Sequence, residues 1–298
     1  MSLILTVDRK LFENLLSHFN ILRKIMSQYA HPEVVVDTEW LENHLHDPNL
    51  RIVEVDTSPE LYKNAHIPGA VFWHIFTDIL LPDLSINLDA IAFANLMSRS
   101  GITKDTTVIA YGSYPGTGGW IFWLLKLFGH NHVKVLNGGY QKWKSENRPL
   151  SPELSTFSSV PYEAQTPDPQ LRVLHTEVQA SMNRKNTILL DVRTPQEYSG
   201  EWFFNQPPKK NERAGHIPGA VNIEHILTLN EDGTFKSLPE LKSLYESQDI
   251  TSDQEIFPYC AIGGRSGYIW FVLKYLLGYP QVRNYDGSWN QWSRLSNV

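Results

Sequence analysis

Cys260 is the only cysteine in the chain, and it lies where a thiol can do chemistry. The run Glu255-Ile-Phe-Pro-Tyr-Cys-Ala-Ile-Gly-Gly-Arg-Ser266 reads as a short apolar strand, a glycine-containing loop and a helix beginning near Arg265. Ile269-Trp-Phe-Val-Leu-Lys-Tyr-Leu-Leu277 continues that helix and Gly278 stops it. A side chain at the end of such a strand faces the first amides of the next helix, which lack carbonyl partners and carry the positive end of its dipole. Both favour thiolate over thiol, and the thiolate is the nucleophile. The competing reading is a small buried hydrophobe. Arg265 argues against it, because a cation is unfavourable in the first turn of a helix unless an anion is bound there.

The elements that position this loop are written twice. His66-Ile-Pro-Gly-Ala-Val71 recurs verbatim as His216-Ile-Pro-Gly-Ala-Val221. Arg51-Ile-Val-Glu-Val-Asp-Thr57 upstream of the first answers Thr187-Ile-Leu-Leu-Asp-Val-Arg-Thr194 upstream of the second, and Gly138-Gly-Tyr-Gln-Lys-Trp143 downstream answers Gly287-Ser-Trp-Asn-Gln-Trp292. Blocks in one order at near-constant spacing mean a duplicated domain, and the unit is too long for a solenoid repeat. With 298 residues, 42% of them hydrophobic, the chain can fill two cores. Strands alternate with helices, which predicts an α/β fold: two tandem domains, each a mostly parallel sheet flanked by helices. In the second copy strands are expected near 187–192, 220–223, 255–260 and 281–286, and helices near 174–182, 238–248, 265–277 and after Asp286. Pro258 removes a ladder donor from a central strand, so a strand end or bulge is expected there. The division is 1–33 as an N-terminal extension, 34–150 as the first domain, 151–172 as a linker and 173–298 as the second domain. The linker region carries Pro152, Pro161, Pro167 and Pro169 among Ser and Thr, the composition of an extended segment. In the extension, Phe12, Leu15, Leu16, Phe19, Leu22 and Met26 fall at helical spacing, an amphipathic helix over 8–28.

Composition removes several function classes. A net charge of −6 argues against nucleic acid as the main partner. A lone cysteine excludes an internal disulfide and any cysteine-cluster metal site, and it suits a reducing, cytoplasmic setting. No apolar run approaches the roughly 18 residues of a membrane span; Trp120-Ile-Phe-Trp-Leu-Leu-Lys-Leu-Phe128 is interrupted by Lys126 and stops at Gly129. The start of the chain lacks the order of a signal peptide.

The paired His-Ile-Pro-Gly-Ala blocks, the Tyr259-Cys260 loop, Asn284-Tyr-Asp-Gly-Ser-Trp-Asn-Gln-Trp292 and Phe235-Lys-Ser237 after Asn230-Glu-Asp-Gly-Thr234 together resemble the two-domain rhodanese family, the thiosulfate and 3-mercaptopyruvate sulfurtransferases. The resemblance runs from about residue 34 to the end. It implies that the second domain holds a persulfide-forming cysteine and that the first has lost it, Gly112 standing opposite Cys260. It implies ping-pong sulfur transfer from thiosulfate to cyanide or a thiol, with no cofactor. In that scheme Cys260 is the nucleophile, the amides of Ala261, Ile262, Gly263, Gly264, Arg265 and Ser266 form a nest for the charged persulfide, and Arg265 holds the donor's oxygens. Gly263 and Gly264 permit unusual backbone angles and close approach. Arg213 is a candidate second cation at the rim, with Lys209 and Lys210 farther out. The partners implied are a small anionic sulfur donor and a thiol, cyanide or protein acceptor.

Loop composition orders the alternatives. Mercaptopyruvate relatives typically continue Gly-Ser-Gly-Val-Thr after the cysteine and animal thiosulfate enzymes Arg-Lys-Gly-Val-Thr; Cys-Ala-Ile-Gly-Gly-Arg-Ser is more similar to the bacterial thiosulfate branch. A substrate-binding arginine common in the family falls on Glu197 here, a charge reversal whose expected role is an ion pair with Arg193 or a lysine. Cysteine phosphatases have a loop one residue longer, which suits a whole phosphate better. A sulfur carrier without turnover is the rival from another class. His66, His216, Asp191, Arg193, Trp289 and Trp292 read as structural groups, Trp289 being a candidate pocket wall.

Overall fold

The computed structural model describes Met26 and residues 28–182 and 184–296. The helix expected over 8–28 falls, except for its last residues, outside them. In the first copy the order is β1 (Val35–Val36), α1 (Thr38–Asn43), β2 (Leu50–Asp56), α2 (Pro59–Asn64), β3 (Val71–His74), α3 (Ala90–Arg99), β4 (Thr107–Tyr111), α4 (Thr117–Leu127), β5 (Val133–Leu136) and α5 (Gly139–Ser145). The second copy has α6 (His175–Ser181), β6 (Thr187–Asp191), α7 (Pro195–Ser199), β7 (Val221–Asn222), α8 (Leu238–Glu246), β8 (Glu255–Tyr259), α9 (Gly264–Phe271) and α10 (Ser288–Trp292). The sheets run β1-β5-β4-β2-β3 and β7-β6-β8, every pairing parallel. Helices cover both faces, so β2 and β4 are buried almost end to end; β4 is a continuous apolar run, whereas β2 carries Arg51, Glu54 and Asp56 among its apolar residues. From Leu154 to Asp168 the chain forms neither helix nor strand.

Local chemistry explains the helix starts. Asp37 caps α1 by accepting the Trp40 amide at 2.6 Å. Thr194 and Glu197 form a reciprocal capping box on α7, with Pro195 in its first turn. The repeated histidine block does the same work twice. His66 bonds the Tyr62 carbonyl at 2.7 Å and stacks on that ring at 3.9 Å, and His216 treats Tyr198 alike at 2.9 and 3.8 Å. The Ile67 and Ile217 amides donate to Tyr111 and Tyr259, tying each block to the strand before its loop.

α4 and α9 lie face to face in a core shared by the two copies. The contact is reciprocal. Trp120 packs where Gly267 has no side chain, and Tyr268 where Gly116 and Gly119 have none. This explains why α4 is apolar on every side: it is an inner helix. Among the described residues no helix is long and apolar enough to cross a membrane.

Two expectations need correction. Pro258 is neither at a strand end nor in a bulge; it sits inside β8, opposite Leu190. Residues 281–286 form no strand, only two isolated bridges, Ile256 with Val282 and Arg172 with Asn284. One cause explains both. Ile256 exchanges bonds with Gln281 and Arg283, whereas Pro258 only accepts, from Tyr285 at 3.0 Å. The missing N–H therefore faces the outer segment, where the ladder ends, and not β6.

The two copies also treat their strand carboxylates differently. Asp191, opposite Tyr259, is neutralised by Arg193 through bonds of 2.9 and 2.6 Å, both side chains fully buried. Glu54, opposite Tyr111, has Asp56 where the second copy has arginine. Burial therefore pushes the Glu54 carboxyl up to about 7; the Tyr111 hydroxyl opposes the shift and Asp56 adds to it. The folded state thus binds this proton more tightly than the unfolded chain does. That stability is complete below pH about 4.5 and is lost as pH rises through about 7. Glu54→Gln is expected to raise the unfolding temperature more at pH 8 than at pH 5, the difference corresponding to up to about 3 kcal/mol. Equal shifts at both pH values contradict this.

Candidate active site

Cys260 is the first residue after β8 and opens onto a cleft of about 450 Å³ between the two copies. The second copy contributes the loop with Thr194, Glu197, Trp202, Phe204, His225 and Tyr268; the first contributes Ile75, Phe76, Tyr114 and Trp120. Cys260 is 1% exposed, but its sulfur is not sealed in hydrocarbon. The Gly263 amide donates to Sγ at 3.2 Å and the Ser266 hydroxyl at 3.6 Å. The backbone is pinned from α10: the Ser288 hydroxyl accepts the Cys260 amide at 3.0 Å and the Trp289 amide donates to the Cys260 carbonyl at 2.9 Å. Ser288 spends its one proton on the Tyr285 carbonyl at 2.8 Å, so it does not donate to Sγ, 3.9 Å away.

The glycines have different reasons. Gly263 caps α9 with φ +90°, and a Cβ there would lie 2.6 Å from the Asp286 carbonyl oxygen, so only glycine fits. Gly264 is helical, and a Cβ there would only touch the Trp120 ring, at 3.4 Å; the close approach of Trp120 is to Gly267, at 2.8 Å. Ala261 is pinned by its carbonyl, which accepts from Asn290 at 2.8 Å, and Ile262 forms part of the cleft wall. Of the amides expected to form a nest, Gly263 alone bonds the sulfur among the described residues; those of Gly264, Arg265 and Ser266 begin α9, where no helical carbonyl precedes them.

Arg265 lines the cleft, but its fork is occupied. Nη1 and Nη2 donate to Glu197 Oε2 and Oε1 at 2.7 and 2.9 Å. Glu197 is therefore not the partner of Arg193 or of a lysine, as its sequence position suggested. Arg193 is committed to Asp191 and to the Gly215 carbonyl. Burial disfavours charge on both members of the new pair. Their mutual hydrogen bonds outweigh it, holding Glu197 below the usual carboxylate range and Arg265 above the usual guanidinium one, with Cys260 also raising Arg265.

Arg213 is not brought into the cleft: its contribution is a carbonyl that accepts the Trp289 indole at 3.1 Å. Lys209 and Lys210 are exposed. Trp289 does not wall the pocket; it lies beneath the Arg193 guanidinium, 4.8 Å from the ring centroid. Ser288 and the wall from the first copy had no sequence signal of their own, although Ser288 lies inside the repeated Gly287-Ser-Trp block. The counterpart loop in the first copy has no room for a nucleophile, since a Cβ on Gly112 would meet the Val55 carbonyl at 2.5 Å and Thr117 at 2.8 Å.

Comparison with known proteins agrees with this architecture. The profile described as Rhodanese-like domain matches residues 37–146 and again 174–295. The chain is 45% identical over 279 residues to the sulfur carrier protein TtuD of Thermus thermophilus, covering 91% of this chain and 97% of that one. It is 42% identical over 272 residues to a Mycolicibacterium smegmatis protein named "Putative thiosulfate sulfurtransferase", covering 89% and 96%. Among solved structures, SseA from Escherichia coli, described as a 3-mercaptopyruvate sulfotransferase, superposes with a TM-score of 0.72 at 25% identity, covering 86% of this chain and 98% of that one.

Proposed function

The chain belongs to the rhodanese-like domain family, and from that premise we propose that it is a sulfurtransferase carrying sulfane sulfur from thiosulfate to cyanide or a thiol through a persulfide on Cys260. The observation that carries this reading is the Cys260 sulfur at the cleft floor, with an amide and a hydroxyl already donating to it. The Cys260 thiolate attacks the outer sulfur of thiosulfate. The bond between the two sulfurs of the donor breaks, and sulfite leaves with the electron pair. A thiophile then attacks the outer persulfide sulfur and Cys260 leaves as thiolate, so the enzyme returns unchanged. The first-turn amides of α9 receive the added sulfur, and Ser266 and Gly263 hold the inner one. The scheme uses no metal or organic cofactor.

The sulfur-carrier reading is the second one kept, because the similarity to TtuD extends over nearly the whole chain. Mercaptopyruvate is less favoured, since the loop lacks the sequence its users carry. Phosphatase chemistry is disfavoured because the loop from Cys260 to Arg265 is one residue shorter than the loop that holds a whole phosphate. Steady-state kinetics with thiosulfate and cyanide separate enzyme from carrier. Parallel double-reciprocal lines, with many sulfites released per protein, are expected of the enzyme. A single stoichiometric release leaves only the carrier.

A further inference from the structure

The charge and walls of this cleft name a class of donor, an assignment that rests on the persulfide reading above. Thiosulfate is a small dianion. Among the described residues lining the cleft, Arg265 is the one arginine or lysine and Glu197 the one carboxylate, and they face each other through two hydrogen bonds. Glu197 is 1% exposed and is further fixed by the Thr194 amide at 3.1 Å and hydroxyl at 3.3 Å. The pair is neutral and locked. His225 offers no cation, because burial, with Arg265 nearby, pushes it down to about 4. A dianion entering here finds no free positive side chain.

The walls fit something else. The cleft is far larger than thiosulfate and is faced by Ile75, Phe76, Trp120, Trp202, Phe204 and Tyr268. Phe204 holds a left-handed backbone, φ +60°, in the tight turn closed by Phe203 and Gln206. An aromatic residue is strained in that region, and strain of this kind persists where a side chain must be aimed.

We propose that the cleft favours over thiosulfate a sulfur donor with an aromatic or branched apolar body and a single negative charge, Glu197 weakening the hold on a dianion by occupying Arg265 and Phe204 helping to read the apolar body. An arenethiosulfonate has this chemistry. The Cys260 thiolate attacks its terminal sulfur, the bond from that sulfur to the sulfonyl sulfur breaks, and arenesulfinate leaves with the electron pair, giving the same persulfide.

The test compares kcat/KM for benzenethiosulfonate and thiosulfate, with cyanide as acceptor. The full chain is expected to prefer the aryl donor by about ten-fold or more, the discrimination an apolar pocket gives. Glu197→Gln should move the ratio toward thiosulfate by about five-fold or more, chiefly through a lower KM for the dianion. Phe204→Gly should lose most of the aryl preference, kcat/KM falling further for benzenethiosulfonate than for thiosulfate, a divergence that a merely structural role cannot produce. A full chain that uses thiosulfate as well as or better than the aryl donor overturns the assignment and leaves the persulfide reading standing. If neither donor places sulfur on Cys260, the persulfide reading falls and this assignment with it.

Discussion

Cys260→Ser is expected to lower turnover with thiosulfate and cyanide by about 10⁴-fold or more, the scale on which removal of a nucleophile acts, with little change in thermal unfolding. The fold tolerates the exchange for a visible reason. A serine oxygen accepts the Gly263 amide as the sulfur does, and the Cys260 main chain keeps its bonds to Ser288 and Trp289. The chemistry does not tolerate it. A hydroxyl is not ionised at neutral pH, and oxygen forms no stable bond to sulfane sulfur that a thiol or cyanide then reopens. Gly112 cannot compensate, because the first copy has no space for a side chain at that position. Sulfite release from the serine variant at the parent rate, measured beside unchanged unfolding, contradicts the assignment of Cys260.

Arg265→Ala is expected to destabilise the fold by about 3 kcal/mol, the lower end of the cost of leaving one member of a buried ion pair alone. The lower end applies because the arginine side chain is 26% exposed while Glu197 is 2% exposed. The loss has a pH signature. Deprived of Arg265, Glu197 is pushed upward by burial alone, so the variant regains stability as pH falls and the carboxyl protonates, and loses it as pH rises. Denaturant midpoints at pH 5 and pH 8 read this directly. Replacing both residues by leucine is expected to recover most of the stability, since an apolar pair substitutes well for a buried ionic one. A variant whose loss is independent of pH, or a double variant no more stable than Arg265→Ala, contradicts the coupling. The expectation that Arg265 holds the donor's oxygens is thereby revised: its first partner is in the protein.

What the sequence carried, and what it did not, follows from which interactions are local. The strand–loop–helix around Cys260 and the duplicated blocks are local patterns, and β8, α9 and the twin His-Tyr stacks appear where those patterns lie. The roles of Arg265 and Glu197 were not legible, because the bond that decides them joins residues far apart in the chain. The same holds for Ile75, Phe76 and Trp120, brought to the cleft by packing of α4 on α9 and not by spacing around the cysteine. Its neighbourhood in sequence puts Arg213 at the rim, but its contribution in the fold is a carbonyl that accepts the Trp289 indole. Pro258 was read as a strand breaker because proline costs a donor; which neighbour loses that donor depends on strand order, a property of the whole sheet.

The central claim is that one sulfur atom is carried covalently on Cys260, and intact mass measures it directly. After incubation with thiosulfate and removal of excess donor, the protein should be heavier by one sulfur atom, located on the peptide that holds Cys260, and cyanide should return it to its starting mass. An unchanged mass under conditions in which sulfite is released, or added sulfur on a peptide without Cys260, would contradict it.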